Sequence, residues 1–408
     1  MSDTREVPVH VVIGAGYGDE GKGLATDMLA SRYGAEAVVV RANSGAQAGH
    51  TVTTPDGRRH VFHHVGSGSF AGASTFLGRR FVSSPMLLGR EIDELALKDV
   101  RPRIVADARG LATSPYDVML NQFAEMDRDG GRHGSCGIGF GETIERNLVP
   151  EFAFDLDTLR DPTALIQVLD RIRREWVPLR AARLGIFLDA ARLELVGSDA
   201  VLSRYVADAA AFLAAVDLVE GPREIPLDAP LIFENAQGLL LDQDRGAFPY
   251  VTRSNTGLTN VLEMAREMGV AHLDAIYATR AYVTRHGAGP MSGELPGKPW
   301  PGIVDRTNVP NPWQGTLRFA LLDLDVLGTA IEADLSDAVD ICVEHTLLVS
   351  CLDQIEGPAR WVQGGVPRSG SAEELVEAAT RRVGAVGAAT SWGPTRSDVS
   401  GIGVLSAA

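Results

Sequence analysis

The chain has 408 residues, 45% of them hydrophobic and 22% charged, which is ample for a large buried core of ordinary globular composition. Its formal charge of −15 (38 basic against 53 acidic residues) argues against a general nucleic-acid binder but leaves room for a local basic pocket that holds phosphate. The three cysteines, Cys136, Cys342 and Cys351, form no C-x-x-C pair, and no run of 18 apolar residues occurs, so neither a zinc or disulfide framework nor a membrane span is expected. With no secretory pattern at the amino terminus, the expected location is the cytoplasm.

Residues 8–13, PVHVVI, form an apolar, β-branched run bounded by glycine and read as a buried parallel strand. A glycine-rich loop, Gly14–Gly23, follows, and then LATDMLASRYG has helical apolar spacing and stops at a glycine. EAVVVRA is the next strand, so the chain opens as strand, loop, helix, strand, the start of a parallel α/β sheet. Further strands are expected at 79–84, 183–190, 229–236, 274–284, 338–349 and 401–406, and helices at 200–216 and 372–384. Segments 126–150 and 287–316 lack a regular pattern and read as functional loops. With no repeat and no linker, residues 1–408 are expected to form a single elaborated domain, α/β in class, with a P-loop-like, mostly parallel central sheet, helices on both faces and long active-site loops.

Four motifs carry polar chemistry. From Gly16 the first loop reads G-x-x-x-x-G-K, ending in Lys22, the spacing of a phosphate loop between strand and helix. Glycines there let backbone amides face phosphate, the lysine neutralises charge, and the helix start favours an anion. The residue after the lysine is Gly23 rather than Ser or Thr, so a metal must be held elsewhere, and Asp19 within the loop is the natural ligand. Asp19 also stands where a dinucleotide loop needs its third glycine. The second motif, residues 41–52, places His50 after two small residues, where an imidazole could donate a proton or stabilise a transferring phosphoryl group. The third, residues 232–257, concentrates Gln237, Asp242, Asp244, Thr252, Ser254 and Asn255. The fourth is YVTRHGAGP, residues 282–290. All four follow strands, and ligands of open α/β sheets bind outside the carboxyl ends of strands.

In this order the motifs resemble the adenylosuccinate synthetase family. Its W/Y-G-D-E-G-K-G hallmark is Tyr17-Gly18-Asp19-Glu20-Gly21-Lys22-Gly23, and its N-A-G-H-T hallmark is Gln47-Ala48-Gly49-His50-Thr51. The E-G-A-Q-G motif appears as Glu234-Asn235-Ala236-Gln237-Gly238, T-R-V-G-A-G-P as Thr284-Arg285-His286-Gly287-Ala288-Gly289-Pro290, and S-T-G-P as Ser391-Trp392-Gly393-Pro394. The resemblance implies a Mg²⁺-dependent C–N ligase. Such an enzyme phosphorylates the 6-oxygen of a purine nucleotide and then displaces the phosphate with an amine. It also implies roles for particular residues. Asp19 would be catalytic base and metal ligand, His50 the acid, Lys22 a triphosphate ligand, and the Gly49 carbonyl a second metal ligand. Gly16, Gly18, Glu20, Gly21, Gly23, Gly49, Thr51, Gly393 and Pro394 would lie along the nucleoside triphosphate. Gln47, Ser135, Cys136, Gln237, Thr252, Arg253, His286, Gly287, Thr316 and Arg318 would face the substrates. A homodimer is implied as well, in which a partner arginine reaches the substrate phosphate, with Arg146 the candidate. Neither nucleic acid nor membrane is expected as a partner.

The sequence departs from the family at specificity positions. Gln47 replaces asparagine, Cys136 a threonine, Ile138 an arginine and Arg253 a serine. The arginine-rich aspartate loop is reduced to Trp313-Gln314-Gly315-Thr316-Leu317-Arg318, leaving Arg318 as the carboxylate partner. When Cys342–Thr346 is set against the guanine-reading T-K-L-D motif, no aspartate is found, so either GTP or ATP is expected as co-substrate. The amine donor is aspartate or another amine. The alternatives are the standard reaction of inosine monophosphate with aspartate and GTP, or a nucleotide-binding regulator without ligase activity.

Overall fold

The computed structural model describes residues 7–128, 136–305 and 316–401. Its strands in chain order are β1 (Val9–Gly14), β2 (Val38–Arg41), β3 (His50–Thr53), β4 (Arg59–Phe62), β5 (Ser74–Leu77), β6 (Ile104–Asp107), β7 (Asp217–Val219), β8 (Leu231–Glu234), β9 (His272–Arg280), β10 (Tyr282–Arg285), β11 (Glu294–Leu295), β12 (Arg318–Asp323), β13 (Cys342–Ser350), β14 (Ala359–Gln363), β15 (Val366–Gly370), β16 (Gly387–Ser391) and β17 (Val399–Ser400). Ten of them form the main sheet in the order β17-β16-β13-β9-β1-β8-β2-β5-β6-β7, parallel throughout except for β17. β10, β12, β14 and β15, with β11 beside β12, make a second sheet, and β3 pairs with β4.

All six residues of β1 are buried, as a central strand covered on both faces requires. Val12 packs with Met28 and Leu29 of helix α1 (Lys22–Tyr33) on one face. Val11 and Ile13 pack on the other, in a core shared with the helices Leu258–Glu267, Leu324–Leu335 and Ala372–Val383. A third cluster fills the space between the β5–β6 edge and the helices Pro85–Ala96, Pro115–Asp127 and Asp199–Ala215. The α/β class and the helices on both faces are as expected. The parallel order brings the loops after β1, β2, β8, β9 and β13 to one end of the sheet.

Several expected elements differ. Residues 79–84 form only isolated bridges, Gly45 to Val82 and Ser83 to Ala112, and the nearby strand is β5. Residues 183–190 span the end of the helix Val177–Leu184 and the approach to the helix Ala190–Gly197, whose apolar residues had mimicked a strand. The expected strand 274–284 is two strands broken at Ala281, the point at which the chain leaves the main sheet for the second. Segment 126–150, expected to be irregular, contains the helix Phe140–Asn147. Most of the strand expected at 401–406 lies outside the described residues.

Candidate active site

A cavity of about 570 Å³ opens at the carboxyl end of the main sheet. Of the residues singled out in the sequence, Gly18, Asp19, Lys22, Gln47, Gly49, His50, Cys136, Gln237, Thr252, Arg253 and His286 line it. They come from the loops after β1, β2, β8 and β10, from the start of α1, from β3, and, for Cys136, from the segment that leads into the helix Phe140–Asn147. Asp19 and Gln237 both hold left-handed backbone, with φ of 61° and 66°, and Ser44 does so at 65°. Non-glycine residues rarely adopt this conformation, and such strain gathers at functional sites. The loops of Asp19 and Gln237 touch backbone to backbone, for a side chain at Gly238 would run into the Gly16 carbonyl.

Asp19 faces His286, whose Nε2 lies 3.2 Å from Oδ2. Burial pushes the Asp19 carboxyl up. The His286 hydrogen bond outweighs this, together with the charges of Arg280, His286 and Lys22, and the carboxyl is held well below the usual range. Arg280 Nε donates to the Asp19 carbonyl and fixes the strained turn. Asp19 is therefore an ionised base, fixed in direction, on the cavity wall.

His50 begins β3 and is backed by Glu234, the last residue of β8: Nδ1 lies 2.6 Å from Oε1. The other carboxylate oxygen accepts from the Ser67 amide at 3.0 Å and lies 3.7 Å from Arg41 Nη1. Burial works against the Glu234 charge, but His50, Arg41 and Ser67 outweigh it and lower its pKa to about 2. Burial lowers His50 to about 4, with Glu234 opposing and Arg41 adding to the shift. We take the resting pair as a carboxylate and a neutral imidazole whose Nδ1–H donates. Nε2 then remains buried and without a hydrogen-bond partner among the described residues, at the cavity. Glu234 was not singled out for this role. It lies 184 residues from His50 in sequence, and its signal was an acid at the end of a buried strand.

The glycine loop differs from the expected phosphate cradle. Gly16 and Gly18 donate their amides to Glu20 Oε1 at 2.9 and 2.8 Å, and Lys22 Nζ lies 3.3 Å from Glu20 Oε2. Glu20 thus fills the amide cradle and does not line the large cavity. Burial pushes its carboxyl up, against the pull of Lys22 and the Gly18 amide. What faces an anion is Lys22 and the start of α1. Its N-cap, Gly21, is left-handed and has no side-chain cap. Gly16 instead faces a smaller apolar cavity of about 40 Å³ behind the loop. The anomalous Gly23 is explained by packing: a Cβ there would lie 2.9 Å from the Thr51 carbonyl and 3.3 Å from His50 Cβ. Gly23 and Thr51 are thus where α1 rests on β3.

Other expectations are corrected. Arg146 is fully buried and pairs with Asp117 at 2.9 Å. It also donates to the carbonyls of Phe152 and Ala112 and stacks on Phe154, so it is a core residue of its own chain and does not reach a phosphate. Arg318 is committed to Glu294, with Nε 2.7 Å from Oε1, and to the carbonyls of Gly287 and Gly289. It therefore braces the loop after β10 and does not line the cavity. Thr316 is exposed and away from the cavity. Gly393 and Pro394 lie in the loop after β16, tied to α1 by the Arg396–Asp27 pair at 3.0 Å. Ser135 lies outside the described residues.

The stretch Cys342–Thr346 forms the amino half of β13, at the far end of the sheet from the cavity, so it cannot read a base. The carboxyl end of β13 does reach the glycine loop, with Ser350 Oγ donating to the Glu20 carbonyl at 3.0 Å. It continues Cys351-Leu352-Asp353, ending in the Leu-Asp of the guanine-reading motif. Asp353 is raised by burial and by Asp398, which places it beside the 391–398 loop. The stretch Cys342–Thr346 stops seven residues short of this aspartate.

Residues 11–308 match the family model described as adenylosuccinate synthetase. The adenylosuccinate synthetase of Picrophilus torridus is 29% identical over 88% of this chain and 81% of its own. That of Neisseria gonorrhoeae is 33% identical over 72% of this chain and 67% of its own. Among solved structures, a fully ligated adenylosuccinate synthetase from Plasmodium falciparum superposes with a TM-score of 0.71 at 18% identity, covering 96% of this chain and 99% of that one. A succinoaminodeoxyadenylate synthetase of cyanophage S-2L, bound to dGMP and to dATP as an energy donor, superposes with a TM-score of 0.59 at 16% identity, covering 97% of this chain and 95% of that one. Among the described residues, no helix is long and apolar enough to cross a membrane.

Proposed function

Because this chain belongs to the adenylosuccinate synthetase family of C–N ligases, we propose that it activates the 6-oxo group of a purine-type nucleotide with GTP and replaces it with an amine. The observation that carries this reading is the convergence of an ionised Asp19, the Lys22 ammonium and His50 Nε2 on one cavity. Asp19 takes the N1 proton, and the 6-oxygen becomes the nucleophile. It attacks the γ-phosphorus, and the nucleoside diphosphate departs. The arriving phosphoryl charge favours a proton on His50, which Glu234 stabilises from behind, and the imidazolium then donates to the phosphoryl oxygens. The amine attacks C6, phosphate leaves carrying the former 6-oxygen, and the proton shed by the amine goes to the departing phosphate.

Asp19 and the Gly49 carbonyl fit Mg²⁺ and would hold it, as both are hard oxygen donors on the cavity wall. When bound, it would supply charge neutralisation along the triphosphate. GTP is favoured over ATP by Asp353 at the loop end of β13, where a carboxylate can accept from a guanine ring N–H and amino group.

The oxo-nucleotide side is rebuilt. Gln47 spends its amide nitrogen on Ser44, and Cys136, Ile138 and Arg253 line the same cavity, with Cys136 Sγ 3.8 Å from the Gln47 carbonyl. The relative that holds dGMP supports a purine other than the inosine nucleotide as substrate for this fold. Arg318 is already paired, which favours an amine donor held otherwise than by an arginine fork. Phosphate release across GTP and ATP, oxopurine nucleotides and amino acids tests the reading. Turnover that requires all three components supports it, whereas release that needs no amine would mark a kinase or hydrolase.

A further inference from the structure

At the amino end of the main sheet, opposite the cavity, the register of three adjacent strands sets His10 of β1 beside Asp274 of β9, and Asp274 beside Glu344 of β13. In-register residues of parallel neighbours project to the same face, about 4.8 Å apart. His272, two residues before Asp274, shares that face. The ligating atoms of His272, Asp274 and Glu344 all lie within 4.8 Å of one another, and His272 Nε2 is 3.0 Å from Asp274 Oδ1.

A solvated histidine–carboxylate pair would account for His272 and Asp274, but it does not account for His10. That ring is 1% exposed, and its Nδ1 has no hydrogen-bond partner among the described residues. The nitrogen points at the cluster, 3.6 Å from Asp274 Oδ2, while Nε2 sits 2.8 Å from the Tyr33 hydroxyl. Donors bound at about 2.0–2.2 Å to one tetrahedral ion stand roughly 3.3–3.6 Å apart; the 3.6 Å between His10 and Asp274 matches that spacing, while the 3.0 Å between His272 and Asp274 is a hydrogen bond that an ion would replace. A ligating imidazole turns its other nitrogen to an oxygen partner that orients it, as Tyr33 does here.

We propose that His10, His272, Asp274 and Glu344 form a second metal site, selective for a zinc-class divalent ion, that clamps β1, β9 and β13 at the end remote from catalysis. Two imidazoles with carboxylates suit zinc rather than the hard-oxygen ions suited to the glycine loop.

The test uses the full chain after chelation. Zn²⁺ is titrated calorimetrically and Co²⁺ by visible absorption, both in excess Mg²⁺. We expect one equivalent per chain, a dissociation constant below about 10 µM, the absorption of tetrahedral cobalt, and a zinc-dependent rise in Tm. His272→Ala and Glu344→Gln change exposed residues, and each should weaken zinc binding at least about tenfold while leaving turnover intact. Asp19→Ala should leave zinc affinity unchanged. Weaker wild-type binding, affinity indifferent to both cluster variants, or affinity lost in Asp19→Ala would overturn the assignment.

Discussion

Gly23→Ser restores the residue that phosphate loops ordinarily carry after their lysine, and the structure makes it a damaging change. A Cβ at residue 23 would lie 2.9 Å from the Thr51 carbonyl and 3.3 Å from both the carbonyl carbon and Cβ of His50. Relief requires the start of β3 to retreat from α1 by a few tenths of an ångström, and His50 is the first residue of that strand. Overpacking of this kind costs about 1–3 kcal/mol of stability. If half of that cost falls on the placement of His50 Nε2, each 1.4 kcal/mol lost from the transition state lowers kcat about tenfold. We therefore expect kcat to fall about 2- to 10-fold with little change in KM for the triphosphate, because Lys22 and the start of α1 stay in place. Steady-state phosphate release and a thermal melt measure both effects. An unchanged kcat at an unchanged Tm would refute the packing argument, and a raised kcat would restore the ordinary role of serine as a metal ligand.

Glu234→Gln keeps the shape behind His50 but removes the charge that stabilises its imidazolium. We expect kcat to fall by about 10² or more, with folding retained on a thermal melt. Asp353→Asn should lower kcat/KM for GTP about 10- to 100-fold, the cost of a charged hydrogen bond, while leaving ATP unaffected; a competition assay reads the ratio. Asp334 is buried in the core, and burial pushes its carboxyl up to about 6 despite bonds from the Leu258 amide and the Tyr277 hydroxyl. Its folded pKa lies above the unfolded value, so wild-type stability falls as pH rises from 4 to 6 and stays reduced above that. Asp334→Asn should therefore melt higher than wild type at pH 8, by at most about 3 kcal/mol, and the gap should close at pH 4.

The proposed phosphoryl-transfer residues were legible in the sequence because their signal is local: Asp19, Lys22 and His50 sit in or at the edge of loops whose residue types suit that chemistry. β1 and the carboxyl half of β13 were legible because strand segments covered on both faces are largely apolar. Contacts distant in sequence were hidden. Arg146 looked like a phosphate ligand until Asp117, 29 residues away, claimed its guanidinium. Arg318 looked free until the described fold placed Glu294 across from it. Glu20 matched a nucleotide-binding position, but its side chain turns back into its own loop, a conformation no spacing rule reports. The strand expected at 183–190 failed because a short apolar run across a helix end has the same composition as a strand.

The central claim is that the 6-oxygen itself leaves as phosphate. The direct measurement uses an oxopurine nucleotide labelled with ¹⁸O at the 6-position, GTP and the amine that supports turnover, with mass analysis of the phosphate released. The account predicts one ¹⁸O in each phosphate, matched by one new C–N bond. Unlabelled phosphate would show that water had received the phosphoryl group and would contradict it.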